Sequence, residues 1–250
     1  MSQEKRQWLW ARLEDLARQA EHSVRFTGFL DPAEQMEAKA FFNQNKQVNF
    51  AFNGGYLEAE RKIAIIYPDY IEPKNIELPL ANLIITWNER FNSPNHRDFL
   101  GALLGTGLRR EVIGDIIVGK GRCQVIIFTE SGSFLEFNLT EVGKTPVKAS
   151  LEPLSSLEVP PRKVKVIKAT VTSPRLDTLL AKAFGLSRSK TIPLIKGGQV
   201  KLNWQEETNP DRKIDDGDIL SLRGHGRATV KSIGGKTKKG RLNVLLERWL

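Results

Sequence analysis

Apolar residues recur at helical spacing from the start of the chain. Leu9, Leu13, Leu16, Ala17 and Ala20 fall on one face of a segment from Glu4 to about Glu21, which predicts a helix that buries that face. Asp31-Pro32-Ala33-Glu34 has the chemistry of a helix start: an acceptor side chain at the cap, proline at the first helical position and a glutamate three residues on. That helix is expected to end near Asn43. The period then shortens, and "VNFAFNGGY" and "RKIAIIYP" read as two strands around a Gly54-Gly55 turn. The stretch "YPDYIEPKN" marks a boundary.

From Ile76 the pattern restarts with a strand at "LANLIITW", a helix from Ser93-Pro94 toward Leu104, and a second helix or turn through Leu108 to Glu111. Strands are expected at "GDIIV", "RCQVIIF" and "FLEFNL". This order predicts a small α+β sandwich with helices over one face of a sheet. "EPLSSLEVPPRK", with Pro153, Pro160 and Pro161, is the clearest linker. The last unit is expected to open at Ser173-Pro174 as cap plus proline. Leu176, Leu179, Leu180 and Ala183 form an apolar stripe, Gly185 stops that helix, and Ser187 caps a second one that ends before Gly197-Gly198. Strands follow at "QVKLNW" and "DILSLR" with the turn "DDGD" between them, and the alternating "RLNVLLERW" closes the chain. The expected domains are 1–75, 76–157 and 173–250, with 158–172 as linker and lead-in strand.

Composition sets few further bounds. At 250 residues and 40% hydrophobic content the chain can bury real cores, and no uninterrupted apolar run is long enough to span a bilayer. A soluble, cytosolic protein without a membrane partner is expected. The single cysteine, Cys123, excludes an internal disulfide; with His22, His96 and His225 it makes no zinc-binding spacing, so neither metal nor cofactor is expected. Within "CQVIIF" it reads as a small packed hydrophobe rather than a nucleophile.

Charge changes the picture. Residues 1–160 carry 18 basic and 21 acidic side chains, a balance of −3, whereas residues 161–250 carry 20 and 8, a balance of +12. A domain-sized block with that imbalance is the footprint of a polyanionic partner, nucleic acid first. Its densest part, Ser187 to Trp204, holds Arg188, Lys190, Lys196 and Lys201 and no acidic residue. Arg188 and Lys190 fall in the first turn of the expected helix, where the dipole disfavours cations but free amides favour anions. The pairing points to a phosphate supplied by a partner. In "RGHGR", Arg223 and Arg227 flank glycines that leave a phosphate backbone room to approach. Trp204 reads as a core residue of its strand. Lys231, Lys236, Lys238, Lys239 and Arg241 are expected to add unspecific attraction.

Other motifs fail on inspection. "GDIIVGKG" has Gly121 where a phosphate-binding loop needs a hydroxyl, "GTGLRR" lacks the third glycine of a dinucleotide fingerprint, and His96-Arg97-Asp98 reads as a helix start. A DNA-binding role would need a recognition helix rich in base-reading side chains, and the short "SRSKTIPLIK" contains Pro193. No DNA partner is expected.

"RLDTLLAKAFGLSRSKTIPLIKGGQVKLNW" followed by "KIDDGDILSLRGHGR" resembles the RNA-binding domain first described in ribosomal protein S-four. With "GFLDPAEQ", "GGYLEAERKIAIIYPDY", "HRDFLGALLGTGLRREVIGDI" and "GGKTKKG", the resemblance extends to the bacterial YlmH family over nearly the whole chain. It implies an α+β protein of three small domains: an N-terminal α/β domain, a middle domain like RNA-recognition folds and a C-terminal S-four-type αα-β module. It implies a cytoplasmic, non-enzymatic, monomeric protein that binds structured rRNA or tRNA, associates with the large ribosomal subunit and handles stalled translation products. RNA-facing positions would be Arg175, Ser187, Arg188, Ser189, Lys190, Lys196, Lys201, Asn203, Arg223 and Arg227. Pro193 departs from the pattern by removing a donor inside the second helix, which bears on how Lys196 is presented. The rival is an RNA-modifying enzyme of the pseudouridine synthase or methyltransferase type using the same module. Arg175-Leu176-Asp177-Thr178 lacks the preceding glycine of the synthase signature, and residues 76–150 offer no glycine-rich turn of a methyltransferase.

Overall fold

The amphipathic opening segment forms α1 (Gln3–Ala20), with Leu9, Leu13, Ala17 and Ala20 buried. After the short β1 (Arg25–Phe26), Asp31 and Glu34 make the expected reciprocal cap, each side chain accepting from the other's main-chain N–H at 2.9 and 2.7 Å, and start α2 (Pro32–Gln44). β2 (Asn49–Asn53) and β3 (Ile63–Tyr67) follow, and the three strands pair antiparallel in the order β1-β3-β2. The structure, a computed structural model, describes residues 3–45, 48–90 and 93–250. It divides into two units, Met1–Val159 and Pro160–Leu250.

The rest of the first unit is built on β4 (Leu80–Thr86), β5 (Ile113–Val118), β6 (Arg122–Phe128) and β9 (Lys148–Pro153). These form an antiparallel sheet in the order β5-β6-β4-β9, beside a small β7 (Glu141–Val142) and β8 (Thr145–Pro146) hairpin. Helices α3 (His96–Gly105) and α4 (Gly132–Asn138) cover one face: Phe99, Leu103, Leu135 and Leu139 pack with Leu83, Ile85, Val125 and Ile127. Strand alternation sends Ile126 and Leu80 the other way, into a core with Phe29 and with Ile63, Ile65 and Tyr67 of β3. Because Ala64 and Ile66 of β3 pack on α1 and α2, β3 is buried on both faces. The segments expected as separate N-terminal and middle domains therefore share one core, in four layers.

Asp115 on β5 fastens the two sheets. Its carboxylate accepts from Tyr56 Oη at 2.8 Å and from the main-chain N–H groups of Glu60 and Arg61 at 2.7 and 3.0 Å.

One expectation is corrected by the structure. "FLEFNL" is not a strand but belongs to α4, because Leu135 and Leu139, four apart, are the buried positions while Phe137 is 85% exposed. Gly132 lets that helix close on the sheet, since a Cβ there would lie 2.2 Å from Leu151 Cδ2. β9, which the sequence did not announce, completes the sheet edge. Cys123 is fully buried on β6, and burial pushes its thiol up to about 12. It should resist alkylation in native protein up to pH 9 and react only after denaturation; rapid native labelling would contradict that burial.

The second unit is a six-stranded antiparallel sheet with two helices on one face. Its strands are β10 (Val164–Val171), β11 (Val200–Leu202), β12 (Gln205–Glu206), β13 (Ile219–Leu222), β14 (Gly226–Lys236) and β15 (Leu242–Trp249), in the order β10-β15-β14-β13-β11-β12. The residues 158–172 thus hold both the unit boundary and an edge strand. Helices α5 (Leu176–Phe184) and α6 (Arg188–Lys196) bury Leu176, Leu179, Leu180, Ala183 and Ile195 against Val200, Leu220, Ala228, Val230, Val244 and Leu246. Gly185 stops α5 in the left-handed region, φ 67°. Among the described residues, no helix is long and apolar enough to cross a membrane.

Candidate nucleic-acid interface

The helix starts differ from expectation in a way that shapes the surface. α5 begins at Leu176 rather than at Ser173-Pro174, because the N–H groups of Leu176 and Asp177 bond to the carbonyls of Arg212 and Pro210 at 2.9 and 3.1 Å. Ser187 occupies the cap position of α6 but its hydroxyl makes no cap bond; it lies 2.9 Å from the Ser189 hydroxyl. Lys190 and Thr191 N–H groups bond to the Ser187 carbonyl, so the amides of Arg188 and Ser189 precede the first intrahelical bond and remain available to an anion. Pro193 is accommodated as the sixth residue of α6. Its carbonyl accepts from Gly197 N–H at 2.9 Å, and Lys196 stands exposed in the last turn.

Asp177, absent from the expected site, organises this end of the module. It is fully buried, and Arg188 approaches with Nε at 3.1 Å and more closely with Nη2, Arg175 with Nη2 at 3.2 Å, and the Thr178 hydroxyl at 2.9 Å. Burial pushes the Asp177 carboxyl up, but hydrogen bonds from Arg188 and Thr178 and the charges of Arg188 and Arg175 more than reverse it. The group titrates below its ordinary value of 3.8. Arg175 is also paired with Asp211. Both arginines remain partly exposed, Arg188 at 55% and Arg175 at 36%, so each is oriented from below while presenting outward. The buried Thr191 hydroxyl donates to the Asp177 carbonyl at 3.2 Å, tying α6 to α5.

Beside this pair lies a concavity of about 370 Å³, lined on one side by Ser187, Arg188 and Lys182 and on the other by Thr170, Thr172 and Arg241. Its lining contains three cations and no carboxylate. Lys182 was missed, although Thr178 and Lys182 are four apart on α5 and so share a face. Arg241, expected as an unspecific tail cation, is held in place by donating to the Thr170 carbonyl at 3.0 Å. The other expected tail charges lie on or beside the β14–β15 hairpin, where Lys231 pairs with Glu247 at 3.3 Å.

The remaining expected residues fall in three places. Lys196 and Arg223 lie at the glycine-turn end, where Arg223 N–H bonds to the Gln199 carbonyl at 3.0 Å. Gly224 and Gly226 there have φ of 79° and 96°, and a Cβ on either would meet nothing within 4 Å. Lys201 and Arg227 occupy the opposite face of the sheet: each alternates with residues of the helix-side core, Val200 and Leu202 for one and Ala228 for the other. On that face Arg227 lies 4.3 Å over the Trp204 ring and Arg162 lies 4.0 Å over Trp249. Trp204 is half-buried under Arg227 rather than in the core. Asn203 is spent on the fold. It takes φ 47°, donates to Asp218 Oδ1 at 2.7 Å and accepts from Ile219 N–H at 2.9 Å, which holds the β11–β12 turn. The structure therefore brings Arg175, Ser187, Arg188, Ser189 and Lys190 together and separates them from Lys201 and Arg227.

Residues 9–71 match a family described as "YlmH, N-terminal", residues 73–156 one described as "Putative RNA-binding domain in YlmH", and residues 174–220 the S4 domain. A Bacillus subtilis (strain 168) protein named "Ribosome-associated protein quality control protein P2" is 39% identical over 230 residues, covering 92% of this chain and 89% of its own. A solved structure, "Cell division protein ylmH from Streptococcus pneumoniae", covers 63% of this chain and 97% of its own at 21% identity with a TM-score of 0.53, a likeness of fold. With three adjoining matches in chain order and a relative that similar over nearly its whole length, the chain belongs to the YlmH family.

Proposed function

We propose that this protein binds structured ribosomal RNA or tRNA without catalysis, at the large ribosomal subunit, in the cytoplasmic quality control of translation. The observation that carries the reading is the carboxylate-free concavity of Lys182, Arg188 and Arg241 beside the open amides of α6. Cations and main-chain donors fixed on a rigid scaffold suit recognition of RNA by phosphates and shape. Arg175, Ser187, Ser189 and Lys190 extend that surface, and Lys196 and Arg223 supply further phosphate contacts at its glycine-turn end. The name of the Bacillus relative supports ribosome association.

The test is affinity for structured RNA as a function of salt. Each phosphate contact contributes roughly 0.9 to the slope of log affinity against log salt, so Arg188→Ala/Lys190→Ala should lower the slope by about 2. Lys74→Ala, in the other unit and paired with Glu72, should leave it unchanged. Co-sedimentation with separated ribosomal subunits should place the wild type on the large subunit and leave the double variant in the supernatant. An unchanged slope with unchanged sedimentation would remove this surface from the reading. Altered nucleotides in RNA after incubation with candidate cosubstrates would favour a modifying enzyme instead.

A further inference from the structure

The motifs "GFLDPAEQ", "GGYLEAER" and "GTGLRR" converge on one cavity of about 410 Å³ in the first unit, built from none of the residues assigned to RNA above. That volume falls within the roughly 300–1,000 Å³ typical of ligand pockets. Its charges do not balance. Lys5, Arg12, Arg61, Arg109 and Arg110 face Asp31, Glu34 and Glu111, leaving a formal +2 inside a segment, 1–160, whose own balance is −3.

Asp115 and Glu60, outside the lining, also act on Arg61 and Arg110, so what sets these two apart is their hydrogen bonding rather than an excess of charge. Lys5 pairs with Glu34 at 2.9 Å, and Arg12 and Arg109 share Glu111 at 2.7 and 3.1 Å. Asp31 caps α2. Arg61 and Arg110, by contrast, bond main-chain carbonyls. Arg61 donates from Nη2 to Phe29 O at 2.7 Å and from Nε to Ile113 O at 3.1 Å. Arg110 donates from Nη1 to Ile113 O and, at 3.3 Å, to Gly114 O. Among the described residues neither is ion-paired, and Nη1 of Arg61 with Nε and Nη2 of Arg110 remain as donors. Burial lowers the pKa of Arg61; burial, then the neighbouring Arg61 charge, lowers that of Arg110 to about 10. Two like charges held together in half-buried ground are stabilised by an anion that takes both. The lining also includes the apolar Leu9, Leu13 and Phe29, together with Trp8, which is 59% exposed.

We propose that this cavity binds a phosphate monoester of a nucleotide, its dianion set between Arg61 and Arg110 and its base against Trp8. Planar guanidiniums match phosphate oxygens, and the indole, which has the Arg12 guanidinium 5.5 Å from its centroid and stays largely exposed, offers a stacking surface. Free nucleotide and the 5′-phosphate end of an RNA share this chemistry.

The experiment is calorimetric titration of the full chain carrying Arg188→Ala/Lys190→Ala, which removes cations from the C-terminal RNA surface and leaves this cavity intact. The probes are adenosine 5′-monophosphate, adenosine, and a trinucleotide with and without a 5′-phosphate. Saturable binding of the phosphorylated probes alone is expected, weakened at least tenfold by Arg110→Gln and by Lys5→Glu. The latter makes the cavity lining more negative from a half-exposed position and keeps the test valid if Arg110→Gln fails to fold. Binding of both phosphorylated probes supports a site open to free nucleotide, and binding of the trinucleotide alone supports an RNA end. No saturable binding at millimolar concentration, equal binding of adenosine, or undiminished binding to a folded Lys5→Glu protein overturns the proposal. Because the background lacks the C-terminal cations, failure here leaves the RNA reading of that surface standing.

Discussion

Asp115→Ala should destabilise the first unit by about 3–4 kcal/mol, since it removes the shared acceptor of two main-chain N–H groups and a tyrosine hydroxyl. Hydrogen bonds to a charged group contribute roughly 1.5–3 kcal/mol each, and an orphaned half-buried amide adds a desolvation cost. Partial access of water to this carboxylate keeps the sum below the simple total. For a unit of this size the loss corresponds to a fall in thermal midpoint of about 10 °C. Asp115→Asn, which keeps one acceptor oxygen, should cost about half as much. Chemical denaturation of the two variants beside wild type checks this; a loss below about 1 kcal/mol for Asp115→Ala would mean the two sheets are held by their shared apolar core alone. The second unit's transition should not move.

Asp177→Asn should destabilise the second unit by about 2 kcal/mol near neutral pH. Removing one partner of a buried ion pair costs roughly 3–5 kcal/mol, and the lower figure reflects arginines that can turn into water. The sign with pH follows from the depressed carboxyl. Its folded pKa lies below 3.8, so its stabilisation is complete above that value and is lost as pH falls through the folded pKa. The gap between wild type and variant should therefore be constant from pH 7 to about 5 and narrow as the pH drops below 3.8. A gap independent of pH down to 2 would show that Asp177 acts through packing rather than charge. RNA affinity gives a second readout. Asp177→Asn adds one positive charge to the module, yet affinity should fall, because Arg175 and Arg188 lose the anchor that aims them. A rise would mean that bulk charge, not orientation, governs binding.

Much of the fold was legible because local chemistry and tertiary environment agree. The Asp31/Glu34 cap, the stripe of α5 and the glycine stops each act within a few residues, and burial followed the periodicity. "FLEFNL" misled because six residues with apolar positions at mixed spacing fit either period; only packing on Leu151 and β9 selects the helix. The charge segregation and the cations of α6 likewise needed no coordinates. Asp177 was not legible as an organiser, since its partners include Arg188 eleven residues on and reach it only after α5 and α6 dock.

By itself, then, the sequence determined most of the helices and strands, where the cationic module lies and that α6 begins with positive side chains, all consequences of side-chain type over short spans. Tertiary structure decided what those charges do. Chain crossing set Arg241 beside Lys182 and Arg188, strand register turned Lys201 and Arg227 to the opposite face, with Arg227 over Trp204 and Trp249, and a left-handed turn spent Asn203 on the fold. The physical reason is one of range: capping and periodicity act within a turn or two of chain, whereas register and docking join residues tens of positions apart, and no local pattern encodes which of them will meet.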